Sequence, residues 1–210
     1  MQESRRERKK RLTRERIVAA AIRLFEEQGY EQTTMAQIAA AADVDPKTFA
    51  GYFRGKDEVL FVDVERNFDV LLAAIARREP GEGPGEVLGR MVRDYAAYRR
   101  PRVPARTPQE VSAPLRLVLA TPALQAKALY VLVTLQQRMA DELLKQFPGL
   151  DPVTAAAMTG ALMGALQQAG LASARLGRSQ EELWQASRQG LDVALHGLLS
   201  VQAPDDDRSP

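Results

Sequence analysis

The sequence predicts an all-α fold, a small N-terminal three-helix domain followed by a larger helical domain. Three observations carry this. Apolar residues recur at helical spacing along most of the chain, and alternating, strand-like runs are nearly absent. A cap residue followed by proline, a strong helix start, occurs at Asp45-Pro46, Thr107-Pro108, Thr121-Pro122 and Asp151-Pro152. Residues 33–56 read as two short helices joined by a tight turn.

In order, the first helix is expected to start at Thr13 as N-cap. Ile17, Ala20, Ala21, Leu24 and Phe25 then form one apolar stripe, and Gly29 ends it by entering positive φ without steric cost. The second helix opens on Thr34 with Gln37, a capping-box pair, and buries Ile38, Ala41 and Ala42. Val44 plugs the turn. The third helix opens at Asp45-Pro46 and turns Phe49 and Phe53 into the small core. A long helix over 57–78 follows, with Leu60, Val64, Phe68, Leu71 and Ile75 as its stripe, and the run EPGEGPGE breaks it. Further helices are expected near 86–99, 110–120, 122–146, 152–175 and 180–200. Pro114 is expected to start or kink the 110–120 segment, the link RRPRVPARTP reads as a surface loop, and residues 201–210 as a disordered acidic tail. The domains are therefore 1–56, 57–200 and the tail 201–210.

Charge is unevenly placed. Residues 1–56 hold 12 Lys/Arg and 8 Asp/Glu, the remainder 17 and 19, and residues 1–16 alone hold 8 basic and 3 acidic groups. A local basic end of this kind suits a polyanion. With no cysteine, disulfides and thiolate metal sites are excluded. No apolar run is long enough to span a bilayer, and the N-terminus lacks a signal peptide's apolar core, so a cytoplasmic protein is expected.

Two helices joined by a tight turn are how small domains present one helix to the major groove of duplex DNA. Thr33 and Thr34 lie at a helix start, where a phosphate is favoured. Asp45 caps the third helix. Lys47 and Thr48 occupy its first turn, from which side chains reach base edges. Tyr52 can hydrogen-bond a phosphate while its ring packs at the helix base. Lys56 is expected as a phosphate clamp, and Arg11, Arg14 and their basic neighbours are expected to enter the minor groove or grip the backbone.

The stretch RERIVAAAIRLFEEQGYEQTTMAQIAAAADVDPKTFAGYFRGKDEVL, roughly residues 14–60, resembles the DNA-binding domain of the TetR family of bacterial transcription regulators. Gly29-Tyr30, Thr33-Thr34, Ile38-Ala39, Thr48-Phe49, Tyr52-Phe53 and Lys56 fall in the family's order and spacing. Asp43 stands where the family often has glycine, in a turn position that Asp can occupy at positive φ. Ala50-Gly51 replaces larger groups, so fewer contacts are expected from Gly51 and its neighbour.

The resemblance implies that the region after residue 57 binds a ligand and dimerises. In 152–175, Ala157, Gly160, Gly164 and Leu171 recur at helical spacing; in 180–200, Trp184, Leu191, Leu195 and Leu198 follow a capping box at Ser179. Two such helices from each protomer would make a four-helix dimer interface, and a symmetric dimer calls for a palindromic operator. A pocket for an apolar or amphipathic small molecule is expected among helices 86–99, 110–120, 122–146 and 152–175. Its candidate walls are Met91, Tyr95 and Tyr98, Leu117, Tyr130 and Thr134, and Met158 and Leu162.

An enzyme is not expected, nor any cofactor or metal. His196 is the sole histidine, with no catalytic partner near it, and the chain has no phosphate loop, metal-ligand spacing or nucleophile elbow. A non-specific DNA binder would spread its basic charge over the surface, which this chain does not. The expectation is a dimeric transcriptional regulator, a repressor released from its operator by a ligand; an activator is the alternative, and a non-specific DNA-binding protein the less favoured one.

Overall fold

The structure, a computed structural model, describes residues 4–99 and 113–197; the side chains of Tyr98 and Trp184, among others, lie outside that description. So do the helix start at Thr107-Pro108, Leu198 and the acidic tail. The described residues form the helices α1 (Arg5–Gln28), α2 (Met35–Ala41), α3 (Pro46–Ala50), α4 (Glu58–Ala76), α5 (Pro84–Arg99), α6 (Ala113–Ala120), α7 (Pro122–Gln146), α8 (Pro152–Arg175) and α9 (Gln180–His196).

Caps fix most of these starts. Thr34 and Ser179 each accept the N–H three residues on, while Gln37 and Glu182 answer the cap's own N–H. Asp45 and Asp151 cap α3 and α8, each with proline in the first turn. The start of α1 differs from expectation. Its N-cap is Ser4, closed by a capping box with Glu7, so the helix begins well before Thr13. A serine followed three residues later by glutamate outcompetes Thr13, which is then an ordinary interior residue.

The chain divides into two compact units, Met1–Asn67 with Ser112–Val131, and Phe68–Val111 with Leu132–Pro210. The boundaries fall inside α4 and α7 rather than between helices. In the first unit, Ile17, Ala21 and Phe25 of α1, Ile38 and Ala39 of α2, Phe49, Phe53 and Val59 share one buried core. α6 belongs here too: Leu117 packs on that core, and Arg116 pairs with Glu26 of α1. Lys127 at the start of α7 pairs with Asp57 at 3.4 Å. Asp43 does take positive φ, 51°.

In the second unit α8 and α9 pack against each other along their length. Gly190 makes this possible: a Cβ there would lie 2.7 Å from the Ala165 carbonyl oxygen and 3.0 Å from the Ala169 Cβ. The end of α4 is tied to α7 by Arg78, which donates to the Gln146 carbonyl at 2.9 Å and lies 4.1 Å from the Phe147 ring centre. Arg90 of α5 holds Glu82 at 2.7 Å and, with the Glu79 N–H, brings that carboxyl down to about 2. This pins the turn between α4 and α5.

Candidate nucleic-acid interface and a cavity in the second unit

The turn between α2 and α3 and the short helix α3 are held from beneath by Phe49 and Phe53, whose ring centres lie 5.7 Å apart. Above that floor the first turn of α3 is organised by Asp45. Its carboxylate accepts the Thr48 N–H at 2.8 Å and the Thr48 hydroxyl at 2.6 Å. These two bonds, the hydroxyl's first, hold the Asp45 carboxyl below its usual range. Lys47 projects from the same turn and is exposed. The Thr48 hydroxyl spends its proton on the cap and keeps only acceptor capacity for a base edge.

Tyr52 is half-buried, its ring 6.5 Å from that of Phe53, and its hydroxyl has no partner among the described residues. Gly51 ends α3 as its C-cap rather than interrupting it, so its cost to the helix is small. Arg54 is exposed just beyond. Sequence reasoning passed over it because it lies outside any helix and shares no periodicity.

Two expected phosphate ligands have other work. Thr33 is 1% exposed, and its hydroxyl donates to the Gly29 carbonyl at 2.8 Å while accepting from Gln28 at 3.1 Å. Its N–H goes to the Tyr30 carbonyl. Thr34 remains exposed as the α2 cap. Lys56 is not poised as a clamp: its ammonium donates to the carbonyls of Tyr30 (2.6 Å), Thr33 (3.1 Å) and Glu31 (3.2 Å), which accounts for its three protons. Burial, with Asp57 and Glu31 adding to it, pushes the Tyr30 phenol up to about 12, so it stays neutral. Arg11 is exposed and pairs with Glu15 at 2.8 Å; Arg14 is half-exposed on the same helix.

The second unit holds a cavity of about 520 Å³. Leu71 of α4, Met91 and Tyr95 of α5, Met163 and Leu166 of α8, and Leu191 of α9 give it apolar walls. Gln167, Ser187, Arg93 and Arg188 supply polar groups. Of the expected pocket walls, Met91 and Tyr95 line this cavity.

The other expected walls whose side chains are described do not. Leu117 packs on the core of the first unit, and Tyr130, also in the first unit, is 68% exposed. Met158 and Leu162 do not line the cavity, because α8 turns its neighbouring face, Met163, Leu166 and Gln167, towards it, and Thr134 sits on α7, which gives the cavity no wall among the described residues. The Tyr98 side chain lies outside the described residues. Periodicity gave no means to choose the face, since α8 is apolar nearly all round.

The small residues of α8 point elsewhere. Ala157 is exposed, Leu171 half-buried, and nothing stands within 4 Å of a Cβ added at Gly160 or Gly164. Of the two α9 leucines expected on a dimer face, Leu191 is 6% exposed and lines the cavity, whereas Leu195 lies beside Gly89 of α5 and stays 38% exposed. The reason is that α9 uses its apolar stripe to cover α5 and α8.

A three-helix unit that supports a capped, exposed reading helix defines a helix-turn-helix DNA-binding domain. Residues 17–62 match the family described as bacterial regulatory proteins, tetR family. The N-terminal domain is thus a DNA-binding domain of the TetR type. It is 43% identical over 79 residues to the HTH-type transcriptional regulator TcmR of Streptomyces glaucescens, covering 38% of this chain and 35% of that protein. The chain thus matches about a third of the length of the curated relatives. Among solved structures, FadR of Thermus thermophilus, a repressor in complex with lauroyl-CoA, is 26% identical with a TM-score of 0.50, covering 91% of this chain and 97% of that one. SmeT of Stenotrophomonas maltophilia in its triclosan complex has the same fold, with a TM-score of 0.55 at 21% identity, covering 95% and 98%.

Proposed function

We propose that the chain is a homodimeric, ligand-responsive transcriptional regulator, not an enzyme. It binds a palindromic DNA operator in the cytoplasm and is released from it by a small apolar or amphipathic ligand, which makes it a repressor. The observation that carries the reading is Lys47, exposed in a first helical turn that Asp45 and Thr48 organise. Lys47 reads base edges in the major groove, and the Tyr52 hydroxyl and the exposed N-terminus of α2 hold phosphates on either side.

Dimerisation supplies the second reading helix, one DNA turn away. The open face of α8 around Gly160 and Gly164 supports it, since small residues let a partner helix approach closely. The cavity lies within the size range of small-molecule sites, and its apolar walls with a few polar groups favour an amphipathic ligand. That the 26% identical FadR of Thermus thermophilus was solved with lauroyl-CoA supports this choice. α4 contributes residues to both units, so a ligand that prefers one setting of α4 changes operator affinity.

The test begins with duplexes selected by the full chain from randomised DNA. Selection should return a palindrome, and fluorescence anisotropy should show tight binding to it over a scrambled duplex. Lys47→Ala and Tyr52→Phe together should weaken this at least tenfold. Lauroyl-CoA and lauric acid serve as first probes of release. Binding equal on both duplexes would overturn the regulator reading; unchanged operator affinity with saturating, bound ligand would overturn the release mechanism. A reporter that loses expression when the protein is deleted would mark an activator.

A further inference from the structure

We infer that residues 5–16 form a stiff helical arm that grips the phosphate backbone of duplex DNA from outside the grooves, and that this arm does not enter the minor groove. The inference rests on the DNA-binding reading above and adds a second contact surface to it.

Helix α1 runs unbroken from Arg5 into the domain core, and its first buried residue is Ile17. The twelve residues before Ile17 are exposed or half-exposed and, at about 1.5 Å each, make a rod of roughly 18 Å. Ser4 and Glu7 close its free end: the Glu7 N–H donates to the Ser4 hydroxyl at 3.2 Å and the Ser4 N–H to the Glu7 carboxylate at 2.9 Å.

The charges on this rod oppose it. Eight Lys/Arg face only Glu7 and Glu15 within residues 5–16. Arg5–Lys9, Arg6–Lys10 and Lys10–Arg14 place like charges one turn apart, and cations crowd the positive end of the helix dipole. Arg5, Arg8, Lys9 and Arg16 fall within about 100° of one another around the axis, by the 3.6-residue period. None of the four has an ion pair among the described residues. A row of phosphates would relieve this repulsion, and releasing the counterions of both surfaces favours the contact.

Width decides where the rod can lie. A helix with its side chains is about 10–12 Å across, whereas the minor groove of B-DNA is about 6 Å wide. An extended arm could thread that groove; a helix cannot. The adjoining major groove is taken by α3, which leaves the backbone.

The test compares the full-length chain with two variants on the selected duplex and on a scrambled one. The first carries Arg5→Gln, Arg8→Gln, Lys9→Gln and Arg16→Gln together. The second, Leu12→Pro, keeps every charge but breaks the helix upstream of the core. Circular dichroism and melting verify that the domain below remains folded. For the first variant, the slope of log K against log salt should become shallower by up to roughly 3–4, with its preference for the selected sequence kept. Hydroxyl-radical footprints of both variants should lose protection at the outer phosphates. Netropsin in the flanking minor groove should leave that protection in place.

An unchanged salt slope with sequence preference intact would overturn the arm and leave the regulator reading standing. Displacement by netropsin, or full outer protection in Leu12→Pro, would mean an extended minor-groove arm and overturn it as well. So would an unchanged slope together with charge-dependent binding to phosphatidylserine vesicles, which would assign the arm to a membrane surface. If the unmodified chain fails to tell the selected duplex from the scrambled one, both readings fall.

Discussion

Lys56 Nζ stands 4.2 Å from the centre of the Tyr30 ring and donates to the carbonyl oxygen of that same residue at 2.6 Å. One ammonium thereby fastens the start of α4 to the turn between α1 and α2, with Thr33 closing that turn from inside. The cation–π contact and three carbonyl bonds give the lysine a structural role in the reading domain.

Removing it should therefore cost stability before anything else. Lys56→Met leaves three carbonyls without their donor and should lower unfolding free energy by about 1–3 kcal/mol in urea titrations. Operator affinity, measured well below the melting temperature, should fall less than for Lys47→Ala. A variant as stable as the parent but unable to bind DNA would restore the phosphate-clamp role.

Acid should weaken the α3 cap in a defined direction. The folded-state pKa of Asp45 is depressed, so its contribution is present above the ordinary carboxyl range and is lost as pH falls through the folded value. Asp45→Asn should flatten that part of the stability profile in thermal melts between pH 5 and pH 2, on the order of the carboxyl range. Asp45→Ala should lower the melting temperature at neutral pH and weaken operator binding, because Thr48 and the first turn lose their anchor. Identical melts for Asp45→Ala and the parent at pH 7 would show that the cap is dispensable.

Glycines on two helices should answer oppositely. Gly190→Ala forces a Cβ to within 2.7 Å of the Ala165 carbonyl oxygen and should destabilise the second unit by about 1–3 kcal/mol. Gly164→Ala meets open space, and alone would stabilise α8 by up to about 1 kcal/mol. In the proposed dimer the same face is covered, so Gly164→Leu should shift the chain towards monomer in sedimentation velocity. No shift would place the interface elsewhere.

Filling the cavity should separate ligand response from DNA binding. Leu166→Trp puts a large side chain into a space of about 520 Å³ without touching the first unit. Release by lauroyl-CoA or lauric acid should be lost while operator affinity stays within about threefold, a difference under 1 kcal/mol. Release as efficient as in the parent would show that the ligand binds elsewhere.

The reading helix was legible in the chain because its signals are local. Asp45-Pro46 fixes its start, Phe49 and Phe53 fix its buried side, and Lys47 follows on the exposed one. Little of the cavity was legible: of the expected walls only Met91 and Tyr95, both on α5, line it, while Leu117 and Tyr130 fall in the first unit, which α6 and the start of α7 join. Ser4 with Glu7 was as readable as Thr34 with Gln37, yet the expected start falls at Thr13, because the run between Ser4 and Ile17 is basic and carries no apolar stripe.

By itself the sequence determined the helical class, most element boundaries and the identity of the DNA-reading domain, since caps, proline starts and apolar spacing act over three to eight neighbouring residues. Only the tertiary structure decided what each face meets. Lys56 finds its acceptor 26 residues back, α9 turns Leu191 into the cavity, and Gly190 rather than Gly160 brings α8 and α9 together. A helical period says that a face must be covered; it carries no information about which distant surface covers it.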